Sequence, residues 1–361
     1  MRRTDAEPAV YAPRSVVIAN PHAIGDVLMM LPLAGALRRK WPQVRLHFAG
    51  RLYTRPLVQA CEFFDGLIDS ESIIADPGVL KRIGADVFIN PFSDEHLARA
   101  AFKARVPIRV GNLLRRGAPY CNRFVAYRST RHDHMLTFAM RHAQVLGLDA
   151  ADLSADHRQL FGLSRIGAPP ETLGQQLDPG RFNLILHPKS GGSGREWPLP
   201  YYLELAGTLA GMNAFKLFLT GSPGEREVVE RECPELLRGS LATDLMGKLS
   251  MEDLLTFVKA ADGVLACSTG PLHIAAALGR HALGIYATSP GLDPIAWRPL
   301  GGPLARALSA PGRCRQGFGQ CPRNAGPPCN CTRALQPQDV MSGLVLPALD
   351  AHRRAAAAAG G

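Results

Sequence analysis

The sequence predicts an α/β protein made of two doubly wound domains in tandem. Three observations carry this. Short apolar runs rich in Val, Ile and Leu alternate with amphipathic helical patterns, the mark of βα units and of a parallel sheet with helices on both faces. The alternation breaks in a proline- and glycine-rich stretch, Gly167-Ala-Pro-Pro-Glu to Asp178-Pro-Gly180, and then begins again. With 361 residues and 46% hydrophobic content, the chain has enough material for two cores rather than one.

The elements follow in order. Val16-Val-Ile-Ala-Asn20 reads as a buried strand, the loop Pro21-His-Ala-Ile-Gly25 follows, and a helical pattern runs from Asp26 to Lys40 until Pro42 stops it. Strand 44–48, helix 55–61, strand 66–69, helix 77–83, strand 86–90, helix 94–104 and strand 108–111 complete the first series. The second holds strand 183–187, helix 198–211, strand 215–220, helices 224–232 and 250–260, strand 263–267, helix 270–279 and strand 282–286. A last helical pattern begins at Pro337. The expected division is an N-terminal domain over 1–170, a C-terminal domain over 171–335, a helix over 336–354 folding back on the first domain, and a flexible tail over 355–361. Two such domains are expected to face each other across a cleft.

Composition narrows the function. Residues 1–170 hold 23 Lys+Arg against 15 Asp+Glu, a net +8 of the chain's +10. The densest basic part runs through Arg99, Lys103, Arg105, Arg109, Arg115, Arg116, Arg123, Arg128 and Arg131. Such a field suits a phosphorylated substrate or anionic lipid headgroups, and equally a solvated basic surface. Nucleic acid is not expected, because no zinc-finger spacing or RNP-type aromatic motif accompanies the arginines. No apolar run approaches the roughly 18–20 residues that cross a bilayer, and Met1-Arg-Arg-Thr-Asp-Ala-Glu7 lacks a signal-peptide hydrophobic region, so a cytoplasmic location is expected. Cys314, Cys321, Cys329 and Cys331 crowd into one stretch without a Cys-x-x-Cys pair, which favours free thiols or a local bridge over a metal knot.

No Gly-x-Gly-x-x-Gly follows the first strand and no Walker loop occurs, so neither a dinucleotide dehydrogenase nor a P-loop ATPase is supported. Four loops at the carboxyl ends of predicted strands remain. Asn20-Pro-His-Ala-Ile-Gly-Asp26 sets a carboxylate at a helix start, either as an N-cap or as a base toward a hydroxyl. His187-Pro-Lys189-Ser190-Gly-Gly-Ser-Gly-Arg195-Glu-Trp197-Pro198 gathers cations in a flexible loop. Thr220-Gly-Ser-Pro-Gly-Glu225 puts a carboxylate in a first helical turn, where it stabilises the helix dipole or reaches a ribose. Ser268-Thr269-Gly270-Pro-Leu-His273 feeds a strand into a helix N-terminus suited to a diphosphate or to ordinary capping.

Gly25-Asp26 with Leu31-Pro32, His187-Pro188 through Trp197-Pro198, Thr220-Gly221 with Glu225, Gly247-Lys-Leu249-Ser, and Ser268-Thr-Gly-Pro-Leu-His273 with Ala275 to Gly279 together resemble glycosyltransferase family 9, the lipopolysaccharide heptosyltransferases. The resemblance spans residues 14–345. It implies a GT-B fold and inverting, metal-independent transfer of a heptose from ADP-heptose to a lipopolysaccharide core or related lipid-linked glycan. No cofactor is implied beyond the nucleotide-sugar substrate. By the resemblance Asp26 is the general base, and Arg195, where the family usually has Lys, stabilises the departing diphosphate. Glu225 binds ribose, Leu249 lines the base pocket, and Thr269, Gly270 and His273 hold the phosphates. Lys189, Ser190 and Ser268 join the donor site, and Arg109, Arg115 and Arg116 are expected at a phosphorylated acceptor. Ser268 departs from the family's usual Asp. The expected setting is the inner face of the cytoplasmic membrane, with its anionic surface as a further partner. Other nucleotide sugars, a GT-B-like nucleotide-sugar epimerase, and a non-catalytic nucleotide- or glycan-binding protein are the alternatives.

Overall fold

A computed structural model describes residues 12–127, 133–148, 159, 161–238, 240–312 and 330–359. It holds two six-stranded sheets, parallel throughout. The first is made of β1 (Ser15–Ala19), β2 (Arg45–Gly50), β3 (Gly66–Asp69), β4 (Val87–Asn90), β5 (Ile108–Asn112) and β6 (Arg123–Val125), in the order β3-β2-β1-β4-β5-β6. The second is made of β7 (Phe182–His187), β8 (Phe215–Leu219), β9 (Thr243–Asp244), β10 (Gly263–Cys267), β11 (His281–Tyr286) and β12 (Ala305–Ser309), in the order β12-β11-β10-β7-β8-β9. In each domain the first strand is central, the next two lie on one side and the last three on the other. This is the doubly wound order, with a switch point beside the first strand.

Several inner strands of both sheets are buried along their length because helices cover both faces. Every residue of β1, β7, β10 and β11 is buried. Val17 pairs with His47 on one side and Phe88 on the other, and Leu184 stands between Leu217 and Gly263. Both domains fix the start of the central strand with an aspartate that precedes the fourth strand. Asp86 accepts from the Arg14 and Ser15 N–H groups at 2.8 and 3.2 Å, and Asp262 accepts from the Asn183 N–H at 2.8 Å and its Nδ2 at 3.0 Å. Backbone N–H groups at the start of each central strand are thereby paired.

Several expectations change. The helical pattern from Asp26 to Lys40 is two helices, Ile24–Leu28 and Leu31–Lys40. Pro32 has no N–H to donate to the carbonyl of Leu28 and its ring crowds the preceding turn, so the chain breaks at Met29 and Met30. The terminal helix packs on the second sheet, not on the first domain as expected. Val340, Leu344, Val345, Ala348 and Leu349 form one apolar stripe buried with Leu184, Leu205 and Leu283. His352 adds an edge-on contact with Phe182 at 5.1 Å and stands 3.7 Å from Asp262. Its last turns do not fray at residue 355 either, since the helix Leu346–Ala359 carries the alanine run, the best of helix formers. The division falls between Ser164 and Arg165 rather than at 170, and Ala23–Leu28 groups with the second unit. Lys259 ties the break to that unit through its ammonium on the Ile166 carbonyl. The strands β6, β9 and β12 were not expected, being short or mixed in polarity.

Candidate active site

The loops after β7, β8 and β10 meet at the carboxyl edge of the second sheet, where β7 and β10 are neighbours and their chains leave in opposite directions. The helix Gly270–Ala277 starts there. Its first backbone N–H groups have no intrahelical acceptor, and the helix dipole adds a partial positive charge. Thr269 occupies the N-cap in extended backbone (φ −133°, ψ 167°), yet its hydroxyl makes no capping bond. Thr269 Oγ1 and His273 Nδ1 are both buried and have no hydrogen-bond partner among the described residues. Burial, with His134 nearby, pushes the His273 pKa down to about 3, so at neutral pH the ring is an uncharged hydrogen-bonding group. Two unsatisfied polar groups at a helix N-terminus are what an oxyanion would complete.

The loop from His187 to Pro198 is organised by a residue that pattern reading did not single out. Glu196 pairs with the Lys189 ammonium and accepts from the Ser190 N–H at 2.9 Å and the Ser190 hydroxyl at 3.0 Å. Ser190 in turn receives the Gly192 N–H, and Ser193 donates to the Ser190 carbonyl. Gly191 and Gly192 take left-handed backbone (φ 54° and 83°), which a side chain would strain. Behind this loop, buried Trp197 donates to the Leu335 carbonyl at 2.8 Å, and Thr332 donates to the Glu196 carbonyl at 2.7 Å. Arg195 is half-buried within the loop. A lone acid directly after the cations of a glycine-rich loop was the signal available for Glu196.

Close approaches tie the loops together. A Cβ on Gly194 would stand 2.8 Å from the Ser268 carbonyl oxygen, and one on Gly191 would stand 3.6 Å from Glu225 Oε1. Glu225 forms a capping box: Ser222 N–H donates to Oε2 at 2.7 Å while the Ser222 hydroxyl accepts from the Glu225 N–H. Its dipole-stabilising role is therefore realised, with Oε1 turned toward Gly191. His187 Nδ1 and Thr220 Oγ1 share a hydrogen bond of 3.0 Å across the ends of β7 and β8. The Gly247 N–H donates to the Gly221 carbonyl at 2.8 Å, which brings half-exposed Leu249 beside the same edge.

Asp26 lies on the helix Ile24–Leu28, and that helix packs directly on the start of Gly270–Ala277. A Cβ on Gly270 would meet Ile24 Cβ at 2.9 Å, and one on Gly25 would stand 3.6 Å from the His273 ring and 3.9 Å from Trp297. Burial pushes the Asp26 pKa up to about 6, against the pull of the Ala23 and Asp26 backbone N–H groups. A carboxyl group poised there changes protonation near neutrality, which is the range in which a general base works best.

The three arginines expected at an acceptor part company. Arg109 sits near the amino end of β5, and its guanidinium donates to the Tyr120 and Val106 carbonyls and lies over the Phe102 ring, so it braces the strand edge. Local carbonyls thus take up two of its nitrogens. Arg115 and Arg116 are exposed in the turn after β5, at the carboxyl edge. Cys331 is half-buried in the helix Asn330–Arg333, whereas Cys314, Cys321 and Cys329, like Arg128 and Arg131, lie outside the described residues.

Comparison with known proteins gives this arrangement a family. The family model for glycosyltransferase family 9 (heptosyltransferase) matches residues 125–320, more than half of the chain. The lipopolysaccharide core heptosyltransferase OpsX of Haemophilus influenzae is 24% identical over 286 residues, covering 76% of this chain and 80% of its own. Among solved structures, the ADP-heptose lipopolysaccharide heptosyltransferase II of E. coli superposes with a TM-score of 0.73 at 18% identity, covering 94% of this chain and 99% of that one. E. coli heptosyltransferase WaaC with ADP-2-deoxy-2-fluoro heptose gives 0.66 at 18% identity, covering 91% and 98%. The two parallel sheets are thus the Rossmann-like domains of a GT-B fold. The chain belongs to glycosyltransferase family 9, the heptosyltransferases.

Proposed function

We propose that the protein transfers a heptose from ADP-heptose, with inversion and without a metal ion, to a phosphorylated lipid-linked glycan of the lipopolysaccharide core type. The observation that carries this reading is Asp26, a carboxyl group with a pKa of about 6 on a helix seated against the start of Gly270–Ala277. In the proposed reaction the Asp26 carboxylate takes the proton of an acceptor hydroxyl as its oxygen attacks the anomeric carbon. The anomeric carbon–oxygen bond to the diphosphate breaks on the opposite face, and ADP leaves with that electron pair. Charge on the leaving group is met by the N–H groups at Gly270, by the Thr269 hydroxyl and by the cations of the 189–195 loop, which act in place of a metal. Glu225 Oε1 and Leu249 face the nucleoside in this reading, with Ser190, Ser268 and neutral His273 as further donor contacts, and Arg115 and Arg116 meet acceptor phosphate.

The donor is supported by relatives: a WaaC structure holds an ADP-heptose analogue, and OpsX is a core heptosyltransferase. Among the described residues no helix is long and apolar enough to cross a membrane. The test is Asp26→Asn, which keeps shape and removes the base. Transfer should fall by about 10²–10⁴-fold while ADP affinity holds. Turnover close to that of the unaltered protein would remove Asp26 from the mechanism.

A further inference from the structure

The loop that leaves β11 adds one more side chain to the carboxyl edge of the second sheet. It ends in the short helix Pro294–Trp297. Of the chain's three tryptophans, Trp41 and Trp197 are buried, at 8% and 1% exposure, whereas Trp297 is half-buried. The centroid of its ring lies 5.9 Å from that of His273, and a Cβ on Gly25 would stand 3.9 Å from its Cζ3. The indole therefore borders both the residue before Asp26 and the first turn of the helix Gly270–Ala277.

Local bonding explains how this ring is held, but not why part of it stays open. The Tyr286 hydroxyl donates to the Trp297 carbonyl at 2.6 Å, and the Trp297 N–H donates to the Asp293 carbonyl at 3.1 Å. Asp293 caps the turn by accepting from the Ala296 N–H at 3.2 Å. The indole N–H is spent on the Gly291 carbonyl at 3.1 Å. What remains uncovered is carbon surface with a negative π face, which suits C–H groups and offers nothing to a phosphate.

Strand order decides which part of the donor reaches this ring. Glu225 and Leu249 follow β8 and β9 on one side of β7, the helix Gly270–Ala277 follows β10 on the other side, and Trp297 follows β11 one strand further out. The ends of β8 and β11 stand about 14 Å apart, three strand spacings. A donor laid along this edge, with its nucleoside at β8 and its diphosphate at β10, carries its sugar toward β11. We propose that Trp297 is a platform for the transferred sugar, whose C–H face rests on the indole beside His273. The platform presupposes the donor reading and adds to it a residue that grips the sugar rather than the nucleotide.

The full chain is titrated with ADP and with ADP-heptose in the absence of acceptor, by calorimetry and by tryptophan emission. ADP-heptose should bind the parent about tenfold more tightly than ADP, and the sugar conjugate should shift the emission where ADP does not. W297A should bind ADP within about twofold of the parent and ADP-heptose about tenfold more weakly, which closes the gap. W297F keeps a smaller aromatic face and should reduce the gap to about threefold while abolishing the emission shift, so the test stands even if W297A does not fold. An undiminished gap in either variant would overturn the platform. An equal loss of ADP affinity would put the indole under the nucleotide and overturn it as well. Failure of the donor reading shows instead in the parent, as no binding of either ligand, and would remove donor and platform together.

Discussion

Replacing Gly270 with Ala tests the contact between the helix Ile24–Leu28, which carries Asp26, and the helix Gly270–Ala277. The added Cβ would stand 2.9 Å from Ile24 Cβ and 3.0 Å from Ile24 Cγ2. Ordinary carbon contacts are about 3.5–4.0 Å, so the two helices must part by about 0.5–1 Å. Overpacking of this kind costs about 1–3 kcal/mol, offset by up to about 1 kcal/mol because Ala is a better helix residue than Gly. The expected net loss of stability is about 1 kcal/mol. The rate should suffer more, since a displacement near 1 Å at a reacting group costs about a hundredfold. ADP binding should remain within about threefold, because the Gly270 N–H is untouched. Transfer rates, isothermal titration with ADP and thermal melts separate the three quantities. Adding Ile24→Gly removes the three atoms nearest to the new methyl and should restore at least part of the rate. Full activity in the single variant would refute the steric reasoning, and so would a double variant no better than the single one.

Asp26→Asn should be more stable than the parent at pH 7 by up to about 3 kcal/mol while it loses transfer, because burial raises the folded pKa to about 6 and the charged form is the disfavoured one. The parent's transfer rate should fall below about pH 6 as that carboxylate gains its proton, and a rate flat down to pH 5 would contradict it. Glu196→Gln should release Lys189 and slacken the Ser190 turn, raising the donor KM several-fold with a smaller change in kcat; steady-state kinetics at varied donor would show an unchanged KM if the clamp were irrelevant. His142, His273 and His281 have folded pKa values lowered to about 4, 3 and 4, so the unfolded chain binds more protons between those values and its ordinary 6.5. Their contribution is present above pH 6.5 and is lost as pH falls, and thermal melts should show the midpoint dropping through that window despite the opposite and smaller effect of Asp26.

Much of the fold was legible because its signals are local. Apolar runs such as Val16 to Ala19 and Gly263 to Cys267 need both faces covered, and their alternation with helices admits a parallel sheet and little else. The short strands β6 and β9 exist only by pairing with β5 and β8, so nothing in their own residues announces them. The site divides in the same way. Thr269, Gly270 and Asp26 were visible through spacing around a strand end and helix starts. Glu196 was not, because its meaning lies in which cation and which N–H it reaches once the loop closes. Arg109 looked like the other basic residues until the carbonyls of Val106 and Tyr120 occupied it.

By itself, the sequence determined the two series of βα units, the loops at their carboxyl edges and the family signature those loops compose. Residue type and spacing set these directly, since periodicity, capping and glycine freedom act over a few positions. Only the tertiary structure decided that Ile24 rests on Gly270, that the terminal helix closes the second core, and that Thr269 and His273 keep polar atoms unsatisfied. Those facts depend on which surfaces meet across long stretches of chain, where burial and desolvation are set by neighbours remote in sequence. The Asp26 pKa of about 6 is the plainest case, for the residue is an ordinary aspartate until the packed protein takes water away from it.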